Sequence, residues 1–178
     1  MEEEYLDIVD EHNVPTGTRA ARSEVHARGW YHRVVNVIFF RMSDQQLQIL
    51  CHQRSPHLEL NPGRWDPAIG GHVRSRQTVL EALHAEIREE VGLTIDLQDL
   101  VEGPCLKIDG PSDTKFNYFY YYKLLDTQDI HMNPDEVAEV RYMPLDHIIE
   151  SMRLNPESWA GFPERLLQMT ANLRETHQ

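Results

Sequence analysis

GGHVRSRQTVLEALHAEIREEVGL, Gly70 to Leu93, contains a helix whose two ends can be read directly. Thr78 and Glu81 have the spacing of a capping box, in which each side chain satisfies a backbone amide at the helix start. Leu80, Leu83, Ile87 and Val91 follow at 3, 4 and 4 residues and predict the buried stripe. Gly92 then Leu93 fits a left-handed glycine with a hydrophobic contact closing the helix. Within it, Glu86, Glu89 and Glu90 lie at i, i+3 and i+4 and project from one turn. Like charges so placed cost an isolated helix roughly 0.2–0.5 kcal/mol per pair. At about 100° per residue this acidic face borders the apolar stripe. The residues leave two readings: a solvated helix face, or carboxylates gathered around a divalent cation. Mg²⁺ takes oxygen ligands, typically one or two protein carboxylates plus substrate phosphates.

Outward from this helix the chain alternates short β-prone runs with polar punctuation. Tyr5–Val9 predicts a strand and 13–17 (NVPTG) the turn after it. Trp30–Arg41 predicts a long strand, with Gln46–Gln53 as its partner across SDQ. NPGRWDP reads as loop, and 68–73 leads into the helix through Gly70 and Gly71. Leu100–Asp109 and Lys115–Leu125 predict two strands joined at GPSD, the second being the most β-prone segment of the chain. Val137–Tyr142 predicts a strand, Pro144–Met152 a helix begun by proline, and about 158–174 a closing helix. Strands and helices without regular βα alternation predict an α+β class with a mixed sheet covered by helices.

Composition narrows the function. At 178 residues, one domain spanning 1–178 is expected. The formal net charge of −12 disfavours a nucleic-acid surface, which requires many cationic contacts to phosphate. It leaves room for a small phosphorylated ligand, because a bound divalent cation reverses the local field. Cys51 and Cys105 form neither a metal-ligand spacing nor a disulfide framework. The first ten residues, MEEEYLDIVD, are acidic with no apolar run, so no secretory leader is expected. No apolar stretch approaches a membrane span. A cytoplasmic protein is the expectation, with a homodimer as the assumed assembly.

Residues 71–93 resemble the Nudix box, G-x5-E-x7-R-E-U-x-E-E-x-G-U with U aliphatic, without a gap. Gly71 aligns with the first glycine, Glu86 with the glutamate of RE, Ile87 with U, and Glu89 and Glu90 with the EE pair. The segments YLDIVDEHNVPTG, SEVHARGWYHR, NPGRWDPAIGGH and DEVAEVRYMPL look like the branch related to isopentenyl-diphosphate isomerase. The resemblance implies an α/β/α sandwich and metal-dependent attack of water on the diphosphate of a small molecule, with Mg²⁺ or Mn²⁺ as cofactor. It also implies Glu86, Glu89 and Glu90 as metal ligands, Glu86 as the favoured base, and the Gly70–Gly71 backbone as a loop shaped under the phosphates.

Two box positions depart from the pattern. Gln77 replaces the first glutamate, and Ala85 replaces the arginine that helps hold the glutamates in place. Reduced activity is the expectation, with Arg74, Arg76 and Arg88 as candidate replacements. A protein of the same fold that only binds ligand is the alternative from another class. Isomerase chemistry is disfavoured, because that branch uses a cysteine where Gly70 stands.

Other candidates have a bland reading beside the functional one. Arg54 is a candidate phosphate contact or a solvated strand end. Glu136 and Glu139 are candidate extra carboxylates or edge-strand charges. His26, His32 and His72 lie in segments comparable to those of the isomerase metal site, although ten histidines favour ordinary surface and hydrogen-bonding roles. Tyr118, Tyr120 and Tyr122 share one strand face and are expected in packing. Trp65 either walls a pocket or anchors its loop.

Overall fold

The structure is a computed structural model that describes residues 3–110, 114–125 and 128–176. Its centre is a seven-stranded mixed sheet. The long strand β3, which follows the hairpin β1 (Tyr5–Val9) and β2 (Pro15–Ala21) and the short helix α1 (Arg22–Arg28), spans His32–Ser43. It pairs antiparallel with β4 (Gln46–Arg54) at its far end and with β6 (Ile69–His72) nearer its start. Its other edge runs parallel to β8 (Thr114–Lys123), which is antiparallel to β7 (Val101–Asp109). The other edge of β4 carries β9 (Val137–Pro144), while the two-residue β5 (Trp65–Asp66) pairs near the end of β4.

Strand alternation sorts the apolar residues onto two faces. Val35, Val37, Phe39, Ile69 and Val73 pack beneath helix α2 (Val79–Val91) with Ala82, Leu83, Ile87 and Val91. Ile38, Phe40, Ile49, Cys51, Phe119 and Tyr121 pack on the other side beneath α3 (Leu145–Leu154) and α4 (Pro163–Thr176). Each fully buried Leu, Ile or Phe in these layers contributes about 1.5–3 kcal/mol of transfer free energy. The Tyr121 hydroxyl donates to the Met169 carbonyl and ties α4 to the sheet. Helices on both faces of a mixed sheet make the expected α/β/α sandwich.

Several local expectations shift. The hairpin turn ends earlier than 13–17, because Asp10 Oδ1 accepts the amides of His12 and Val14, both at 2.9 Å, and β2 starts at Pro15. Leu80 is 37% exposed, so it does not join the buried stripe; Ala82 and Glu90 do. The closing helix starts at Pro163, because 156–158 forms a 3-10 turn that leads into buried Trp159. The GPSD turn lies mostly outside the described residues. Helix α1 has no side-chain N-cap and ends on Gly29 with φ 64°.

Candidate active site

The acidic turn of α2 lies against β6, and one glycine makes that possible. A Cβ on Gly71 would lie 2.3 Å from Glu86 Oε1, so glycine leaves the space that the Glu86 carboxylate occupies. Glu90 is only 8% exposed, although nothing in an isolated helix would bury it. Glu136, from the segment before β9, and Asp66, on β5, add their charge to Glu90. The Asn133 amide donates to the Glu90 carbonyl at 2.9 Å and the Ser55 amide to the Glu136 carbonyl at 2.8 Å, which holds the Glu136 segment against α2 and β4. Burial, then the neighbouring Glu89, pushes the Glu86 carboxyl up to about 7. Burial, then Glu86, Glu136 and Asp66, holds Glu90 well above the usual carboxylate range. A cluster that resists ionisation in this way favours a cation among its oxygens.

Two arginines bear on the cluster. Arg54, at the end of β4, donates from Nε to the Leu60 carbonyl at 3.1 Å, and its charge opposes the upward shift of Glu90. Arg74, in the turn before α2, places Nη2 3.7 Å from Glu89 Oε2 and counteracts the upward shift of Glu86. Gly70 and Gly71 lie in β6, paired with Asn36 and Val35, and not in a loop. Their contribution is room for the neighbouring chain and side chain.

The remaining candidates separate. Glu136 adds its charge to Glu86 and Glu90, whereas Glu139 pairs with Arg141 at 2.6 Å. His72 follows Gly71 and so projects to the opposite sheet face. There it meets His26 and His32, with the ligand nitrogens of all three within 4.8 Å of one another. The Trp30 carbonyl, 3.1 Å from His32 Nδ1, accepts its proton and directs Nε2 as the lone-pair atom. Burial, then the charge of Arg22, pushes His72 down to about 2, so this triad is neutral at His72. Tyr118, Tyr120 and Tyr122 pack in the α2-side core. Trp65 packs on the other core and lines a groove of about 450 Å³ between β9 and α3. Asp66 went unnoticed because NPGRWDP reads as loop; only its pairing with His52 of β4 makes 65–66 a strand, in which Trp65 and Asp66 face opposite sides.

Residues 30–165 match the model of the NUDIX domain. The chain belongs to the Nudix family. A Nudix hydrolase of Deinococcus radiodurans is 30% identical over 149 residues, 84% of each chain. Nudix hydrolase 3 of Arabidopsis thaliana is 31% identical over 156 residues, which are 82% of this chain but 20% of that one. A Pectobacterium atrosepticum relative named isopentenyl-diphosphate Delta-isomerase is 29% identical over 157 residues, 87% of this chain and 84% of its own. Among solved structures, DR0079 of Deinococcus radiodurans has a TM-score of 0.72 at 23% identity, covering 93% of this chain and 99% of that one. The NUDIX domain of Shewanella oneidensis NrtR, solved with ADP ribose, has a TM-score of 0.60 at 17% identity over 82% of this chain and 88% of its own. Family and relatives make this chain an enzyme of the Nudix pyrophosphohydrolase type.

The departures from the Nudix box now have surroundings. Gln77 Oε1 accepts the Arg74 amide at 3.2 Å, and the Gln77 amide donates to the Arg74 carbonyl at 3.0 Å. Gln77 therefore closes the turn that carries Arg74. Ala85 is half-buried on α2, one helical turn before Glu89. At Gly70, a Cβ would lie 2.0 Å from the Val35 carbonyl oxygen. No side chain fits there without backbone movement, which removes the position at which the isomerase branch carries its cysteine.

Proposed function

We propose that this chain hydrolyses the diphosphate bond of a nucleoside-diphosphate-linked or related small molecule, with Mg²⁺ or Mn²⁺ as cofactor. The observation that carries the reading is the Glu86 carboxylate seated in the space left by Gly71, beside Glu89 and Glu90. The donor chemistry suits the ion: Glu86, Glu89 and Glu90 offer only oxygen, the ligand type that hard divalent cations take, and Asp66 and Glu136 add their charge to Glu90. Bound there, the ion would neutralise the carboxylates and polarise a phosphoryl oxygen. Glu86 is the base in this reading. Its pKa, raised to about 7 by burial and by Glu89, is close to the range in which a general base works best at neutral pH. Glu86 takes the proton of the attacking water as the new P–O bond forms, and the diphosphate oxygen departs with the second phosphate. Arg54 is the candidate phosphate contact, since its guanidinium already bears on Glu90.

The test is a panel of diphosphate compounds, ADP-ribose and nucleoside diphosphate sugars among them, assayed for phosphate or nucleotide release with Mg²⁺ or Mn²⁺. Turnover by the native chain that is abolished in Glu89→Gln/Glu90→Gln is the expected outcome. Ligand binding without turnover across the panel would sink the hydrolase reading in favour of a binding protein. Isopentenyl diphosphate belongs in the same panel, with no double-bond migration expected, because Gly70 offers no proton-transfer group.

A further inference from the structure

We infer that Arg74, supplied by the turn before α2, does the work of the arginine missing at Ala85 and positions Glu89 for the Nudix reaction. The inference deepens the hydrolase reading and rests on it. Its basis is that Gln77 closes, through backbone contacts, the turn whose Arg74 side chain reaches toward Glu89. Arg74 Nη2 lies 3.7 Å from Glu89 Oε2, and Arg74 Nε lies 3.3 Å from Glu4 Oε1. Arg22 Nη1 lies 3.2 Å from the other oxygen of Glu4. A chain of charges, Arg22–Glu4–Arg74–Glu89, therefore runs from the start of α1 to the acidic turn of α2.

The turn carrying Arg74 is fixed from three directions. The side chain of Gln77 caps its amide at 3.2 Å. The Ser75 amide donates to the Tyr5 carbonyl at 2.7 Å, and Ser75 Oγ donates to Asp7 Oδ1 at 2.6 Å. The Arg76 amide donates to Asp7 Oδ2 at 3.1 Å, on a backbone with φ 72°. An exposed ion pair adds little to stability, since solvent screens it. Its value here is positional. Among three carboxylates that repel one another, the guanidinium, itself hydrogen-bonded to Glu4, draws Glu89 toward one side, and its charge also bears on Glu86. An arginine at 85 would stand at i,i+4 to Glu89, the spacing at which helical side chains meet. The two arginine sites are therefore alternative supports for the same carboxylate.

That equivalence supplies the test. Arg74→Ala, Arg74→Ala/Ala85→Arg and Arg88→Ala are compared with the native chain in the full-length protein. The EPR spectrum of bound Mn²⁺ is recorded for each, together with kcat and KM on whichever panel compound turns over. Arg74→Ala is expected to change the Mn²⁺ spectrum and to lower kcat by on the order of 10- to 100-fold, with KM within about threefold. Adding Ala85→Arg is expected to restore both, and Arg88→Ala to change neither. A native-like spectrum and kcat in Arg74→Ala overturn the proposal, as does an unrestored double variant whose melting temperature equals that of the native chain. Absence of Mn²⁺ binding in the native chain overturns it as well. Where the native chain binds Mn²⁺ but turns nothing over, the hydrolase reading falls and the catalytic part of this inference falls with it, and loss and recovery of the spectrum then decide only whether Arg74 orients Glu89 at the metal.

Discussion

Gly70 and Gly71 are neighbours with different reasons to be glycine, and alanine separates them. At Gly70 the added Cβ meets backbone, 2.0 Å from the Val35 carbonyl oxygen and 2.7 Å from Asn36 Cα. Backbone within a paired strand cannot step aside cheaply, so Gly70→Ala is expected to lower stability by about 1–3 kcal/mol, as overpacking does. At Gly71 the Cβ meets the far end of Glu86, which can swing away. Gly71→Ala is therefore expected to leave stability within about 1 kcal/mol of native and to lower kcat by tenfold or more, because the displaced carboxylate is the base. Urea unfolding and steady-state kinetics on the two variants check both halves. A stable, inactive Gly70→Ala beside a destabilised, active Gly71→Ala would refute the assignment. The sequence showed that glycine mattered here but suggested a loop. The extended pairing with Val35 and Asn36 depends on a strand more than 30 residues away, which local spacing does not encode.

Helix α2 was the most legible element, and its legibility has a local cause. Thr78 Oγ1 accepts the Glu81 amide at 3.2 Å, while Glu81 Oε2 accepts the Thr78 amide at 2.8 Å and its hydroxyl at 2.9 Å. Gly92 ends the helix at φ 65°, and its amide donates to the Arg88 carbonyl at 3.2 Å. All of these partners lie within four residues, so a linear reading finds them. Thr78→Ala removes one side of the box and is expected to cost about 1 kcal/mol, with kcat unchanged, since the glutamates lie at the other end of the helix. A denaturation midpoint equal to native would contradict the cap's contribution. Helix α1 was missed for the opposite reason: its seven residues carry no side-chain cap, and Val25 is its only buried residue. The three histidines could be named together from the resemblance, but that they meet could not be read locally, because α1, β3 and β6 each supply one member and only the sheet brings them together. Arg74 could be named as one of three candidates; only the path of β1 past its turn, seen in the pairing of Leu6 with Arg74, singles it out.

At the scale of the whole molecule, the acidic cluster is a liability that a bound cation would turn into a support. The chain carries a formal net charge of −12, and among the described residues Glu90 is the one buried acidic side chain, with half-buried Glu86 beside it. Burial and then Glu89 disfavour the charged form of Glu86 in the folded protein and push its carboxyl from the ordinary 4.5 up to about 7. A folded-state pKa raised in this way means that the native state holds the proton more tightly than the unfolded chain. The resulting stability is fully present below the unfolded pKa and is lost as pH rises through the folded one, so the metal-free protein is expected to weaken between pH 4.5 and about 7. Glu90, shifted in the same direction, extends that decline. A divalent cation competes with those protons, so its stabilisation should grow over the same interval. At a metal concentration 100 times its dissociation constant, linkage gives about 2.7 kcal/mol. For a domain of this size that corresponds to a rise in Tm of roughly 5–10 °C. Thermal melts with Mg²⁺, Mn²⁺ or chelator at pH 5 and pH 8 measure it. The metal-induced shift is expected to be large at pH 8, small at pH 5, and lost in Glu89→Gln/Glu90→Gln. A shift as large at pH 5, or one that survives the double substitution, would place the cation elsewhere on the protein, with the histidine triad the next position to examine.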